Sequence, residues 1–407
     1  MEEKLREYAE LLVRIGVNVQ KGQNLVISAP VECAHFARLC ARAAYAAGCR
    51  EVIMNWSDDQ LTREKYLHAA EDVFDTVPAW TERFYNDYAR EGAAYLAISA
   101  TDPENLKGVD GDRIVRSQRS RSQALKDFNR LQMANGFPWC IASIPIPAWA
   151  ERVFPGGGAA VDRLWEAIFQ AVRITGDGGA VDRWHAHLRM LEERKDKLNA
   201  LGLRSLHYTN SLGTDLTIRL PERHLWAAGN GVTGGGQPFV ANIPTEEIFT
   251  APLRDGVDGV VYASMPLCHD GNVIEGIRFV VKDGKIVEAS ARTGEATLKA
   301  AISLDEGASR FGEVALVPYD SPISNQKILY YNTLFDENAS CHLAFGEAYN
   351  ECVEGGADMD KEQLKALGLN DSITHVDFMV GTADLSIVGT ARDGRQVPIF
   401  RDGNFAL

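Results

Sequence analysis

The sequence predicts two domains: an α/β domain with a parallel sheet over residues 1–200, then an α+β, β-rich domain over residues 201–407. In the first half, apolar strand-like runs alternate with helical stretches, the βαβ pattern of a parallel sheet. From Leu203 onward, short alternating strands and Asp-Gly turns take over. A chain of 407 residues is also too long for one small core.

Leu5, Tyr8, Leu11, Leu12 and Ile15 recur at helical spacing over residues 3–20. Residues 24–28 read as a short buried strand, 33–47 as a helix ended by Gly48, and 51–55 as the next strand. Strands at 94–99 and 140–144 continue the alternation. No GxGxxG follows any of them, so a dinucleotide site is not indicated. Gly156-Gly157-Gly158 marks a loop, and no Gly-Lys-Ser/Thr comes after it to make a phosphate cradle. Helical pattern resumes over 161–172 and 181–201. In the latter, His185 and His187 point about 200° apart and read as a solvated face rather than a metal pair. Strands then follow at 214–220, 259–265 and 277–291, the last broken by the hairpin signal Asp283-Gly284. Asp393-Gly394 joins a closing hairpin, and the glycine-rich stretch 229–236 reads as a flexible edge of the second domain.

Charge and cysteine usage narrow the function classes. A net charge of −14 with no Lys/Arg-rich block argues against a nucleic-acid surface. Met1-Glu2-Glu3-Lys4-Leu5-Arg6 lacks a signal-peptide core, and no run of about 18 apolar residues exists to span a membrane. The seven cysteines form no CxxC pair and read as reduced thiols of a cytoplasmic protein.

Oxygen and nitrogen donors concentrate between Leu334 and Asp377, which hold Asp336, Glu337, His342, Glu347, Tyr349, His375 and Asp377. The stretch 339–352 reads as a helix, with Gly346 counting against it; a helix would set His342 and Tyr349 on one face. Alone, that pair reads first as a buried His and Tyr on an apolar stripe. His375-Val376-Asp377 lies in an apolar, strand-like run, so His375 and Asp377 project from the same face. Imidazole plus carboxylate suits zinc or cobalt, though a surface His and Asp would have the same spacing. Upstream stand Glu246-Glu247, between Pro244 and Pro252, and Glu313 at the start of a strand. One Glu from each, two His and one Asp, with Tyr349 as a sixth donor, form the inventory of a two-metal hydrolase rather than of a structural zinc.

Residues 242–252, 312–318, 332–342 and 375–377 occur in the order of a known motif set. They resemble the thermophilic metalloaminopeptidases typified by aminopeptidase T, aminopeptidase S and PepS. The resemblance spans essentially the whole chain, with its specific motifs in the C-terminal half. It implies metal ligands at Glu247, Glu313, His342, Tyr349, His375 and Asp377, with Glu247 rather than Glu246 at the family position. It also implies a homodimer acting on peptides with a free N-terminus through two divalent ions, zinc or cobalt with manganese as a third option. Tyr349 would ligate or donate a hydrogen bond to the oxyanion, and Glu246 and Glu347 are the candidates for general base. Two other readings stand beside this one: a 2-His-1-carboxylate iron oxygenase built on His342, His375 and Asp377, and a non-catalytic binding protein.

Overall fold

The computed structural model describes residues 1–269 and 272–407, which form two compact units. The first comprises Met1–Ala186 and Asn230–Pro244, and the second His187–Gly229 and Thr245–Leu407. This differs from a division at residue 200 in two ways. The helix Ala180–Ala200 runs across the boundary without a break, and a later segment returns to the first unit.

The first unit is built on a five-stranded parallel sheet. Asn24–Pro30 lies between Glu51–Ser57 and Ala94–Ser99, followed outward by Trp139–Ser143 and the two-residue strand Asn242–Ile243. All four strands expected here from the apolar runs are present, as are the helices Ala34–Ala46 and Ala160–Ala171. The glycine-rich stretch is not a loose edge of the second unit: Asn230–Val232 and Pro238–Val240 pair as a hairpin in the first.

Among the described residues, the second unit holds two large antiparallel sheets and a two-stranded one, Leu267–His269 with Asn272–Ile274. An eight-stranded sheet carries Leu206, Leu216, Ile218, Phe279 and Ile387 into a shared core. A five-stranded sheet, in the order His375–Met379, His342–Gly346, Phe311–Leu316, Ile248–Thr250 and Ala227–Ala228, supplies the other side. Its contribution includes Ile248, Phe311, Val314, Leu316, Leu343, Phe345, Val376 and Phe378. Phe279 and Phe378 meet edge to face at 5.2 Å, the geometry favoured by aromatic quadrupoles. The hairpin at Asp283-Gly284 forms as expected, with both residues left-handed (φ 48° and 74°).

One sequence expectation fails here. Residues 342–346 are a strand, not part of a helix, so His342 and Tyr349 share no helical face. A continuous apolar run, His-Leu-Ala-Phe-Gly, is fully buried on both sides, and periodicity alone cannot separate such a strand from a buried helix. Gly346 decides the matter: its φ of +111° is incompatible with helix, and a Cβ there would stand 2.0 Å from the Thr374 carbonyl.

Candidate metal centre

The face of the five-stranded sheet opposite the aromatic core carries the charged residues. Because side chains alternate along a strand, Leu343 and Phe345 inside leave His342 and Ala344 outside. By the same alternation, Val376 and Phe378 inside leave His375 and Asp377 outside. Glu247 and Phe249 flank the core residue Ile248. Glu313 reaches this face through a β-bulge. Phe311 pairs with Phe345, and Glu313 with the very next residue, Ala344, so Gly312 is the extra residue. Without the bulge, Phe311 and Glu313 would share a face; with it, one enters the core and the other the site. Gly312 is obligatory, since a Cβ there would lie 2.2 Å from the Glu347 carbonyl and 2.4 Å from that of Gly346.

The result is two three-donor groups sharing one member. Donor atoms of Glu247, Glu313 and His342 lie within 4.8 Å of one another, and so do those of Glu313, His375 and Asp377. His342 Nε2 is 3.2 Å from Glu247 Oε2. His375 Nε2 is 2.9 Å from Glu313 Oε2 and 3.3 Å from Asp377 Oδ1. Ala344 pairs with Glu313 on one side and Asp377 on the other, so a methyl group is all that stands between the two carboxylates.

Backbone carbonyls fix both imidazoles. His342 Nδ1 donates to Glu337 O and Ser340 O at 3.0 and 3.1 Å, and His375 Nδ1 donates to Glu347 O at 2.8 Å. Each ring therefore turns Nε2 toward the carboxylates, the arrangement by which metal-ligating histidines are held. Burial pulls both imidazoles toward neutrality, but the surrounding acids outweigh it and hold His342 and His375 well above their ordinary range. Burial pushes the Glu313 carboxyl up, against the pull of His375. Glu337 is pushed far up by burial, with Asp377 and Glu247 adding to it. Asp377 alone is held down, His375 outweighing the effect of burial. Its Oδ1 is buried and, apart from the charge contact with His375 Nε2 at 3.3 Å, makes no hydrogen bond. This field favours positive charge between the acids, which a proton or a divalent ion satisfies. The donor set, a buried carboxylate oxygen that makes no hydrogen bond and two imidazoles with fixed tautomers, fits divalent metal.

The other residues singled out in the sequence fall around this centre. The Tyr349 ring packs 5.0 Å from that of His375 and 5.7 Å from Phe249, so it neighbours His375, not His342 as a helix would have it. Glu246 is buried with its carboxylate 3.7 Å from His187, which hydrogen-bonds the Thr245 carbonyl at 2.8 Å. His185 and His187 do point apart, but His187 is buried rather than solvated. Glu347 accepts from the Ser372 backbone N–H and sits 4.0 Å from Lys361; burial raises it to about 7. Asp336 accepts from the N–H groups of Tyr330 (2.8 Å) and Asn332 (3.1 Å), so it braces a loop. One contributor lacks a sequence signal: Asn338 accepts from the Glu246 N–H at 2.7 Å, anchoring the segment that presents Glu247. Glu337, noted among the donors of the sequence but given no role there, joins the acidic field.

Comparison with known proteins places the chain in a family. The thermophilic metalloprotease family M29 matches residues 1–405. The chain belongs to that family and is a peptide hydrolase. It is 45% identical to aminopeptidase AmpS of Bacillus subtilis over 100% of its own length and 99% of that protein's. It is 44% identical to aminopeptidase 2 of Geobacillus stearothermophilus, over 100% and 98%. The solved structure of AmpT from Thermus thermophilus superposes with a TM-score of 0.92 at 41% identity, covering 100% of both chains. A 2,5-dihydroxypyridine dioxygenase from Pseudomonas putida covers 100% of this chain with a TM-score of 0.51 at 12% identity, a likeness of fold alone. Among the described residues, no helix is long and apolar enough to cross a membrane.

Proposed function

We propose that this chain is an aminopeptidase that holds two divalent ions, zinc or cobalt with manganese as a third option, with Glu313 as their shared ligand. Glu247 and His342 complete one ligand set, and His375 and Asp377 the other, with Tyr349 beside His375 as a further oxygen donor. The observation that carries this reading is the membership of Glu313 in both donor groups. A single-iron oxygenase site needs two histidines and one carboxylate, and has no use for Glu247 and Glu313 together. Ions bound there would supply a water acidified toward neutral pH and a Lewis acid for the scissile carbonyl.

The chain's own groups supply orientation and charge. The buried acids attract the protonated α-amino group of a peptide, which limits cleavage to the first bond. Tyr349 is partly buried, and desolvation holds its phenol above the ordinary range, so it keeps its proton and donates it as a hydrogen bond to a developing oxyanion. Glu246, Glu347 and Glu337 are each engaged, with His187, Ser372 and Asn338 respectively, but Glu337 also stands in the acidic field of Asp377, Glu247 and Glu313, which favours it as the carrier of the transferred proton. The seven free cysteines suit a reducing cytoplasm, and the homodimer belongs to the same proposal.

The test is hydrolysis of a leucyl or arginyl chromogenic amide by chelator-stripped protein, with and without zinc or cobalt, beside the N-acetylated amide. Metal-restored cleavage of the free amine alone supports the reading. Cleavage of the acetylated amide, or of neither substrate, would overturn it, and iron content with oxygen uptake would then be measured.

A further inference from the structure

The second unit contains a cavity of about 450 Å³, a volume typical of small-molecule sites. Leu212, Met265 and Pro266 form its apolar wall, and Lys327, Ile328 and Leu329 another. No residue of the metal centre lines it. Ser340 does, however, and its carbonyl accepts from His342 Nδ1, so the cavity lies behind that imidazole.

Three features of the lining are open to a partner. Lys327 is exposed, with its ammonium 4.0 Å from the centroid of the Tyr319 ring and no carboxylate partner among the described residues. The peptide groups of Ile328 and Leu329 take no hydrogen bond among the described residues. They lie between two left-handed residues, Lys327 (φ 54°) and Tyr331 (φ 53°), which turn this short stretch out of any ladder. The Ser264 hydroxyl is buried and without a hydrogen-bond partner. The stretch is nonetheless braced, because the Asp336 carboxylate grips Tyr330 and Asn332 just beyond it.

We propose that this cavity binds an apolar residue that carries a free α-carboxylate and an acylated amine. This is the chemistry of the carboxyl end of a short peptide or of an N-acyl amino acid. The carboxylate pairs with Lys327, the amide hydrogen-bonds the open backbone of Ile328 and Leu329, and the side chain packs on Leu212, Met265 and Pro266. The inference does not depend on the peptidase reading.

The test is titration of N-acetyl-L-leucine into the metal-loaded protein by calorimetry, with N-acetyl-L-leucinamide as its uncharged twin. Saturable binding of the acid is expected, with the amide at least about tenfold weaker. Lys327→Met should weaken the acid by a similar factor, while Glu247→Gln leaves it unchanged. No saturation, equal binding of acid and amide, insensitivity to Lys327→Met, or loss in Glu247→Gln would each overturn the proposal. The acid–amide comparison requires no variant, so a misfolded Lys327→Met leaves the test intact. An acetylated tripeptide ending in leucine separates the two sources: tighter binding than N-acetyl-leucine assigns the site to peptide ends, and equal binding assigns it to free acyl amino acids.

Discussion

Glu313 is buried, belongs to both donor groups and shares its neighbourhood with Glu247, Glu337 and Asp377. Replacing it with Gln keeps the shape but removes the charge that two cations would share. Glu313→Gln should therefore lose both ions and lower peptide hydrolysis by well over about a hundredfold, more than loss of an outer-shell partner. Metal analysis beside a rate assay checks this, and retention of a full metal complement would refute it. Asp336 gives a prediction of a different kind. Burial raises it to about 7, against an ordinary value of about 3.9. Between those values the folded chain keeps a proton that the unfolded chain has lost, so stability is greatest below the lower value and falls as pH rises toward the higher one. In chelator-treated protein, Asp336→Asn should flatten the decline in thermal stability between about pH 4 and pH 7. An unchanged slope would count against it. At this scale, the donors of the centre were legible because His, Asp and Glu on short strands carry their facing with them. Glu337 and Asn338 were not, since their roles depend on a carbonyl and an N–H that only tertiary folding brings near.

The strand Phe311–Leu316 serves the core and the site at once, and the bulge at Gly312 makes that compatible. Gly312→Ala should cost about 1–3 kcal/mol or more, because the neighbouring carbonyls are backbone and cannot move aside cheaply. It should also depress metal affinity, through rotation of Glu313 off the site face. Ala344→Val tests the same geometry from the next strand. The added methyls enter the space between Glu313 and Asp377, so metal binding should fall while the core behind, on the opposite face, stays intact. Unfolding curves paired with metal titration separate the two effects. Strand periodicity at His375–Met379 was readable because Val376 and Phe378 bracket Asp377. His342–Gly346 was misread because both its faces are buried, one by the aromatic core and the other by the metal centre, which erases the alternation that marks a strand.

At the scale of the molecule, the parallel sheet and the β-rich half were apparent from alternation and turn chemistry, while the division between units was not. Ala180–Ala200 is one uninterrupted helix, so no change of composition marks Ala186, and Asn242–Ile243 is too short a strand to announce its return to the first sheet. The candidate metal centre lies wholly within the second unit, on strands whose other face forms its core. Ions that bind the folded state alone should stabilise it by about 2.7 kcal/mol at a hundredfold excess over the dissociation constant. Chelation should accordingly lower the melting temperature, and added zinc or cobalt restore it. The central claim is that Glu313 joins two ligand sets, and elemental analysis of the purified chain tests it most directly. Two equivalents of divalent metal per chain, falling to about one in His342→Ala and to none in Glu313→Gln, is the predicted result. A single equivalent that survives Glu313→Gln, or a complement consisting of one iron, would contradict it.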